Sequence, residues 1–338
     1  MAGAHPEVME KLLQTNLLHT EGYGNDEFTR RTRRRILEEC GLENDGDVFF
    51  VTGGTQANAV VIDRLLGRND GVVAADTSHI AVHEAGAIEF TGHKVLTLPA
   101  EAGKIKASDI DLFISEFYND ATHPHMVRPA MVYISFPTEL GTIFSKAELS
   151  AIHDVCLKWD IPLYIDGARL AYGLAADGSD ITLKEIARLC EVFYIGGTKC
   201  GALFGEAIVT SRPDLFSRFF SLIKMHGALL AKGRLPGVQF EALFHNGLYF
   251  RIGKEAVDKA LQLKEIFHSY GFESFIDSPS NQQFFILPNP IVKQLREKVS
   301  FDLWGPPGPD CSIIRLVTDW TTTSSDIDAI KSLLRSLT

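Results

Sequence analysis

Seven short apolar runs recur between residues 47 and 210, with helical patterns between most of them. They are DVFFVT (47–52), GVVAAD (71–76), KVLTLP (94–99), AMVYIS (130–135), PLYID (162–166), VFYIGG (192–197) and EAIVT (206–210). A strand that is apolar throughout has no face for water, so it belongs in a sheet covered on both sides. Segments such as SDIDLFISEFYND (108–120) and SKAELSAIHDVCLKWD (145–160) supply helices to cover it. The alternation predicts an α/β fold with a mainly parallel seven-stranded sheet.

The rhythm changes after about residue 235. VQFEALFHNGLYFRIGKEAVDKALQLKEIFHSYG predicts one or two long helices. Two alternating strands, QFFILP (283–288) and SIIRLVTDW (312–320), and a last helix, SSDIDAIKSLLRSL, follow. At 338 residues the chain exceeds the size of a single core. The expected division is an N-terminal segment 1–25, a large α/β domain 26–240 and a small α+β domain 241–338. Helices are expected over residues 6–17, with Pro6 near the start, and from Glu27 to about Cys40.

The formal charge of −10 disfavours nucleic acid as a partner, although Arg30, Arg31, Arg33, Arg34 and Arg35 crowd the second helix. A solvated or subunit-facing surface fits that run better. No apolar stretch reaches the roughly 18–20 residues of a membrane span. Glu7, Glu10 and Lys11 interrupt the first residues, as no secretory leader does. Five scattered cysteines without a Cys-x-x-Cys suggest reduced thiols and a cytoplasmic setting. His123-Pro124-His125 has no third ligand nearby, so no metal site is expected.

Three strand ends carry chemistry. DVFFVTGGTQAN runs from a strand through Gly53, Gly54 and Thr55 into a helix. Free N–H groups and the helix dipole there suit a phosphate, although an ordinary tight turn would read the same way. PLYIDGARL leaves Asp166 at the C-terminal end of a strand, with Arg169 three residues on. Ligands bind at such ends in open α/β sheets, but a structural ion pair is the alternative. VFYIGGTKCG holds Thr198 and Lys199 between glycines after a buried strand. A desolvated lysine becomes a nucleophile toward carbonyls. A phosphate cradle, a carboxylate for a ring nitrogen and a lysine for an aldehyde are together what pyridoxal 5'-phosphate requires.

The segments GGTQAN, SHIAVHEAGAIEFTGHKV, YIDGARL, YIGGTKCG and SIIRLVT resemble the threonine aldolase and β-eliminating lyase family of fold-type-I pyridoxal-phosphate enzymes. The likeness runs from AHPEVM to the last helix. It implies an aspartate aminotransferase-like large domain and an aldehyde-lyase that cleaves L-threonine, L-allo-threonine or related β-hydroxy-α-amino acids to glycine and an aldehyde. By the same likeness Lys199 carries the cofactor, Asp166 pairs with its ring nitrogen, and Gly54 and Thr55 attend its phosphate, which Thr198, just before Lys199, is also placed to touch. His79 stacks on the ring and serves in proton transfer; from its position alone, His83 is either a second entrant to the pocket or a helix-surface residue. Arg169 and Arg315 grip the amino-acid carboxylate, and Lys232 and Arg234 approach a phosphate across a subunit interface. A homodimer or homotetramer is implied. One departure stands out: many threonine aldolases carry a His-Asn pair where this chain reads SFPTELGT, with Phe136, Pro137 and Thr138. The role of that histidine is then vacant or passes to His79 or a water. Another reaction on the same cofactor, β-elimination or transamination, stays open, as does a non-catalytic binding protein.

Overall fold

The computed structural model describes residues 2–337. The seven runs form seven strands: β1 (Asp47–Val51), β2 (Asp70–Ala75), β3 (Lys94–Leu98), β4 (Arg128–Ser135), β5 (Leu163–Asp166), β6 (Val192–Gly196) and β7 (Glu206–Thr210). They lie in one sheet in the order β1-β7-β6-β5-β4-β2-β3. Strands β2 to β6 are parallel. Strand β7 runs against both β1 and β6. The C-terminal ends of β1, β4, β5 and β6 therefore share one edge, and the first residue of β7 meets them there.

Side chains alternate across that sheet, and two separate apolar clusters result. Val132, Ile134, Leu163, Ile165, Phe193 and Ile195 enter one. Met131, Tyr133, Tyr164, Val192 and Tyr194 enter the other. The period of two thus places three buried tyrosines on the same face of adjacent strands.

The helix Glu27–Cys40 has the expected bounds. Asp26 caps it through the Thr29 N–H, and Gly41 closes it in the left-handed region at φ 67°. All five of its arginines pair with carboxylates of this chain: Arg30 with Glu21 and Glu27, Arg31 with Glu241, Arg33 with Asp47, Arg34 with Glu27, and Arg35 with Glu38 and Glu39. The first helix is Pro6–Thr15, shorter than its apolar pattern.

The stretch expected to hold one or two long helices holds two. Arg234–Phe244 ends before Asn246 (φ 48°) and Gly247 (φ 68°), and Leu248–Ser269 begins beyond them. A second, antiparallel sheet of four strands comes next, in the order β10-β11-β9-β8. Its central strands are β9 (Gln282–Pro288) and β11 (Cys311–Val317). The edges β8 (Glu273–Ser274) and β10 (Asp302–Leu303) are two residues each, too short to show a period in the sequence.

The long helix Leu248–Ser269 touches both sheets' territories. At its first turns a Cβ on Gly253 would meet the Ala171 carbonyl oxygen at 2.3 Å, and Tyr249 Oη accepts from the Ala171 N–H at 3.1 Å. Further along, Phe267 stacks on Phe285 of β9 with centroids 4.1 Å apart. Gly253→Ala is expected to lower unfolding stability by about 1–3 kcal/mol through overpacking. Gly3→Ala, which meets open space, is the matched control in urea unfolding. Equal stability of the two variants would refute the backbone contact.

Candidate active site

A cavity of ≈ 280 Å³ opens at the shared strand edge. Strand β1 leads into it through Gly53, which has extended backbone, and the helix Gly54–Leu65 then starts with no side-chain cap. A Cβ on Gly53 would meet nothing within 4 Å, whereas one on Gly54 would lie 2.9 Å from the Tyr194 hydroxyl. The first turn therefore presents bare N–H groups to the cavity beside Thr55.

Asp166 ends β5 and is buried, at 4% exposure. Four donors hold it. Tyr133 Oη (2.6 Å) and Asn58 Nδ2 (3.1 Å) donate to Oδ2; Tyr194 Oη (2.5 Å) and the Ala168 N–H (2.9 Å) donate to Oδ1. Such a set satisfies the buried carboxyl oxygens and fixes their direction.

Lys199 follows β6, and among the described residues its Nζ makes no hydrogen bond or ion pair. Burial, then the charge of Arg169, pulls its pKa down to about 8. Glu206, at the start of β7, accepts from the Gly197 N–H at 2.8 Å and is pushed up to about 8 by burial. Thr198 accepts from the Gly205 N–H at 2.9 Å.

Arg169 also lines the cavity, and no carboxylate pairs with it among the described residues. Burial and then the nearby Arg315 hold its pKa below the usual guanidinium range. Arg315 itself is absent from the lining. It sits on β11 opposite Asp302, which accepts from its Nη2 at 2.7 Å, and its guanidinium lies 5.2 Å over the Trp304 ring.

His79 opens the turn after β2. Its Nδ1 lies 2.8 Å from Glu84 Oε1, which also accepts from Asn58 Nδ2 at 2.7 Å. Asn58 thus links the His79–Glu84 pair to Asp166. On the far side Glu139 Oε1 accepts from the His79 N–H at 2.9 Å and from Ser135 Oγ at 2.6 Å.

Gly54, Thr55, His79, Asp166, Arg169, Thr198 and Lys199 line one cavity. Arg315 reaches it only through its charge. His83 is exposed, with its ring 5.8 Å from that of His79. Arg234 leaves the site altogether: its guanidinium donates to the Thr15 carbonyl at 2.6 Å. Lys232 is exposed and outside the lining. Sequence reasoning missed Asn58, Glu84, Glu139 and Glu206. The first two lie inside the quoted segments GGTQAN and SHIAVHEAGAIEFTGHKV, and Glu139 inside SFPTELGT.

Residues 1–275 match the β-eliminating lyase family. A low specificity L-threonine aldolase of Pseudomonas sp. is 30% identical over 88% of this chain and 85% of its own length. One of Pseudomonas aeruginosa is 28% identical over 99% and 94%. The structure of a Leishmania major threonine aldolase superposes with TM-score 0.96 at 38% identity, covering 99% of this chain and 97% of that one. The aspartate aminotransferase of Thermus thermophilus, at TM-score 0.69 and 15% identity, shares the fold, which is fold type I.

The unpaired lysine generates a prediction. Its folded pKa is depressed, so its burial penalty is full below about pH 8 and fades as pH approaches 10.5, where the unfolded chain also loses the proton. Lys199→Met is expected to stabilise the cofactor-free chain near neutral pH by about 1–3 kcal/mol. Denaturant unfolding across that pH range checks it; a gain independent of pH, or none, would contradict the burial argument.

Proposed function

Since the chain belongs to the β-eliminating lyase family, in its threonine aldolase branch, we propose that it is a pyridoxal-phosphate aldehyde-lyase acting on β-hydroxy-α-amino acids. L-Threonine and L-allo-threonine are the proposed substrates, and glycine and an aldehyde the products. The observation that carries the reading is an unpaired lysine, an unpaired arginine and a four-donor carboxylate around one cavity with an uncapped helix N-terminus.

Those residues suit the cofactor. The bare N–H groups from Gly54 onward, with Thr55, would hold its phosphate; Asp166 would face its ring nitrogen, and Lys199 its aldehyde. Pyridoxal phosphate, when bound, supplies a carbonyl that condenses with amines and a ring that accepts electrons from Cα. Lys199, with a pKa near 8, exists partly as the free amine at neutral pH, the nucleophilic form. Asp166 is fixed in place by its four donors. Arg169 has its fork free for the substrate carboxylate, and bidentate contact fixes which bond at Cα is oriented for cleavage. Glu84 fixes the orientation of the His79 ring.

We assign the chain to a homo-oligomer. Leu13, Leu17 and Leu18 are exposed near its N-terminus, and Phe90 is 90% exposed. The five free thiols support a cytoplasmic setting.

The loaded enzyme is expected to convert L-threonine to equal amounts of glycine and acetaldehyde, measured by amino-acid analysis and a coupled aldehyde assay. Lys199→Ala should abolish turnover, and Asp166→Asn should lower kcat about a hundredfold or more. Release of a keto acid and ammonia instead would overturn the aldehyde-lyase reading.

A further inference from the structure

Cleavage of a β-hydroxy amino acid needs a group that takes the hydroxyl proton. The cavity offers several carboxyl and imidazole groups, and the geometry separates them. Asp166 has both oxygens occupied by four donors. Glu206 lies under Gly197 and accepts its N–H. His79 has Nδ1 committed to Glu84. His79 keeps Nε2 open, and Glu139 stands apart from the other two carboxyls. Two donors from different elements, the His79 N–H and Ser135 Oγ, converge on its Oε1. Its Oε2 takes no bond from another described residue, and the side chain lines the cavity. One oxygen is clamped by two neighbours, and apart from its own backbone N–H no other described residue donates to this carboxyl beside the substrate space.

We propose that Glu139 is the base that removes the β-hydroxyl proton, an inference that rests on the aldehyde-lyase reading. The O–H bond breaks and its proton passes to Glu139 Oε2. The electron pair left on oxygen forms the aldehyde C=O as the Cα–Cβ bond breaks, and the pair from that bond stays with Cα. One proton added at Cα completes glycine, so the step needs no net proton and no co-reactant.

The surroundings tune this carboxyl. Burial raises its pKa, the bonds from Ser135 and the His79 N–H lower it, and the charge of Asp166 raises it. Tyr133 on β4 and Arg169 after β5 also feel its charge, and Glu84 stands behind His79. A carboxyl held above its ordinary value is a stronger base nearer to neutral pH.

The test compares two reactions of the loaded full-length enzyme. Cleavage of L-threonine needs the hydroxyl base; exchange of the glycine Cα proton with D2O does not. In Glu139→Gln the ratio of cleavage to exchange is expected to fall about a hundredfold, and the acid limb of the kcat/KM profile to disappear. Ser135→Ala removes a bond that lowers the Glu139 pKa, so its acid limb should move to higher pH. Infrared titration of the cofactor-free chain should show a carboxylic-acid band that Glu139→Gln lacks. Equal loss of cleavage and exchange would make Glu139 a support for the His79 turn, and no change in the ratio would leave the proton to another group; either result overturns the proposal. Failure of the wild-type enzyme to cleave any β-hydroxy amino acid would strike the underlying reading before any variant is made.

Discussion

The structure turns on the burial of Asp166. A carboxyl group so far inside an α/β sheet is tolerated only if its hydrogen bonds replace water. Here the replacement comes from β4, β6, the helix after β1 and the backbone just past β5, so four elements must meet at one point. Strand alternation brings Tyr133 and Tyr194 to the same face, and Tyr164 between them donates to Asn58 Oδ1 at 2.8 Å, orienting the amide that reaches the carboxylate. Core packing and site geometry are therefore one arrangement. A shift of register in β4 or β6 would send a tyrosine to the opposite face and leave a buried carboxyl underbonded.

The electrostatics around that carboxylate are graded by hydrogen bonding. Asp166 has four donors. Glu206 is pushed up to about 8 by burial, close to the value to which Lys199 falls. Lysine and glutamate thus move toward one another from opposite ends of the pH scale, each because water is excluded. Near neutral pH the amine is closer to its uncharged form than a surface lysine is.

Much of this was legible in the sequence. Continuous apolar runs identify the strands of the large sheet, because burial on both faces leaves no room for polar alternation. Lys199, Asp166 and Thr55 stand out because their types are unusual at the ends of such runs. Asn58, Glu84 and Glu139 were invisible for a different reason: each has at least one partner distant in sequence, as Asn58 has across 108 positions in Asp166, Glu84 across 26 in Asn58 and Glu139 across 60 in His79. A polar residue inside a helix pattern gives no sign that it will face a buried carboxylate. Arg315 shows the converse. Its segment was readable, but its position depends on the two-residue strand β10 and on Trp304, and it ends outside the cavity lining.

The close packing of Gly253 against Ala171 has a further consequence. One turn beyond it, the Ala256 carbonyl accepts from Thr318 Oγ1 at 2.6 Å, just past the strand that carries Arg315. Ala171 lies two residues after Arg169. The backbones bearing the two guanidiniums are therefore referenced to a single helical turn, with a rise of about 4.5 Å between the two contacts. That turn acts as a gauge block. The spacing between the arginines is set by helix pitch rather than by the slack of a loop, so errors elsewhere in either sheet do not accumulate in it.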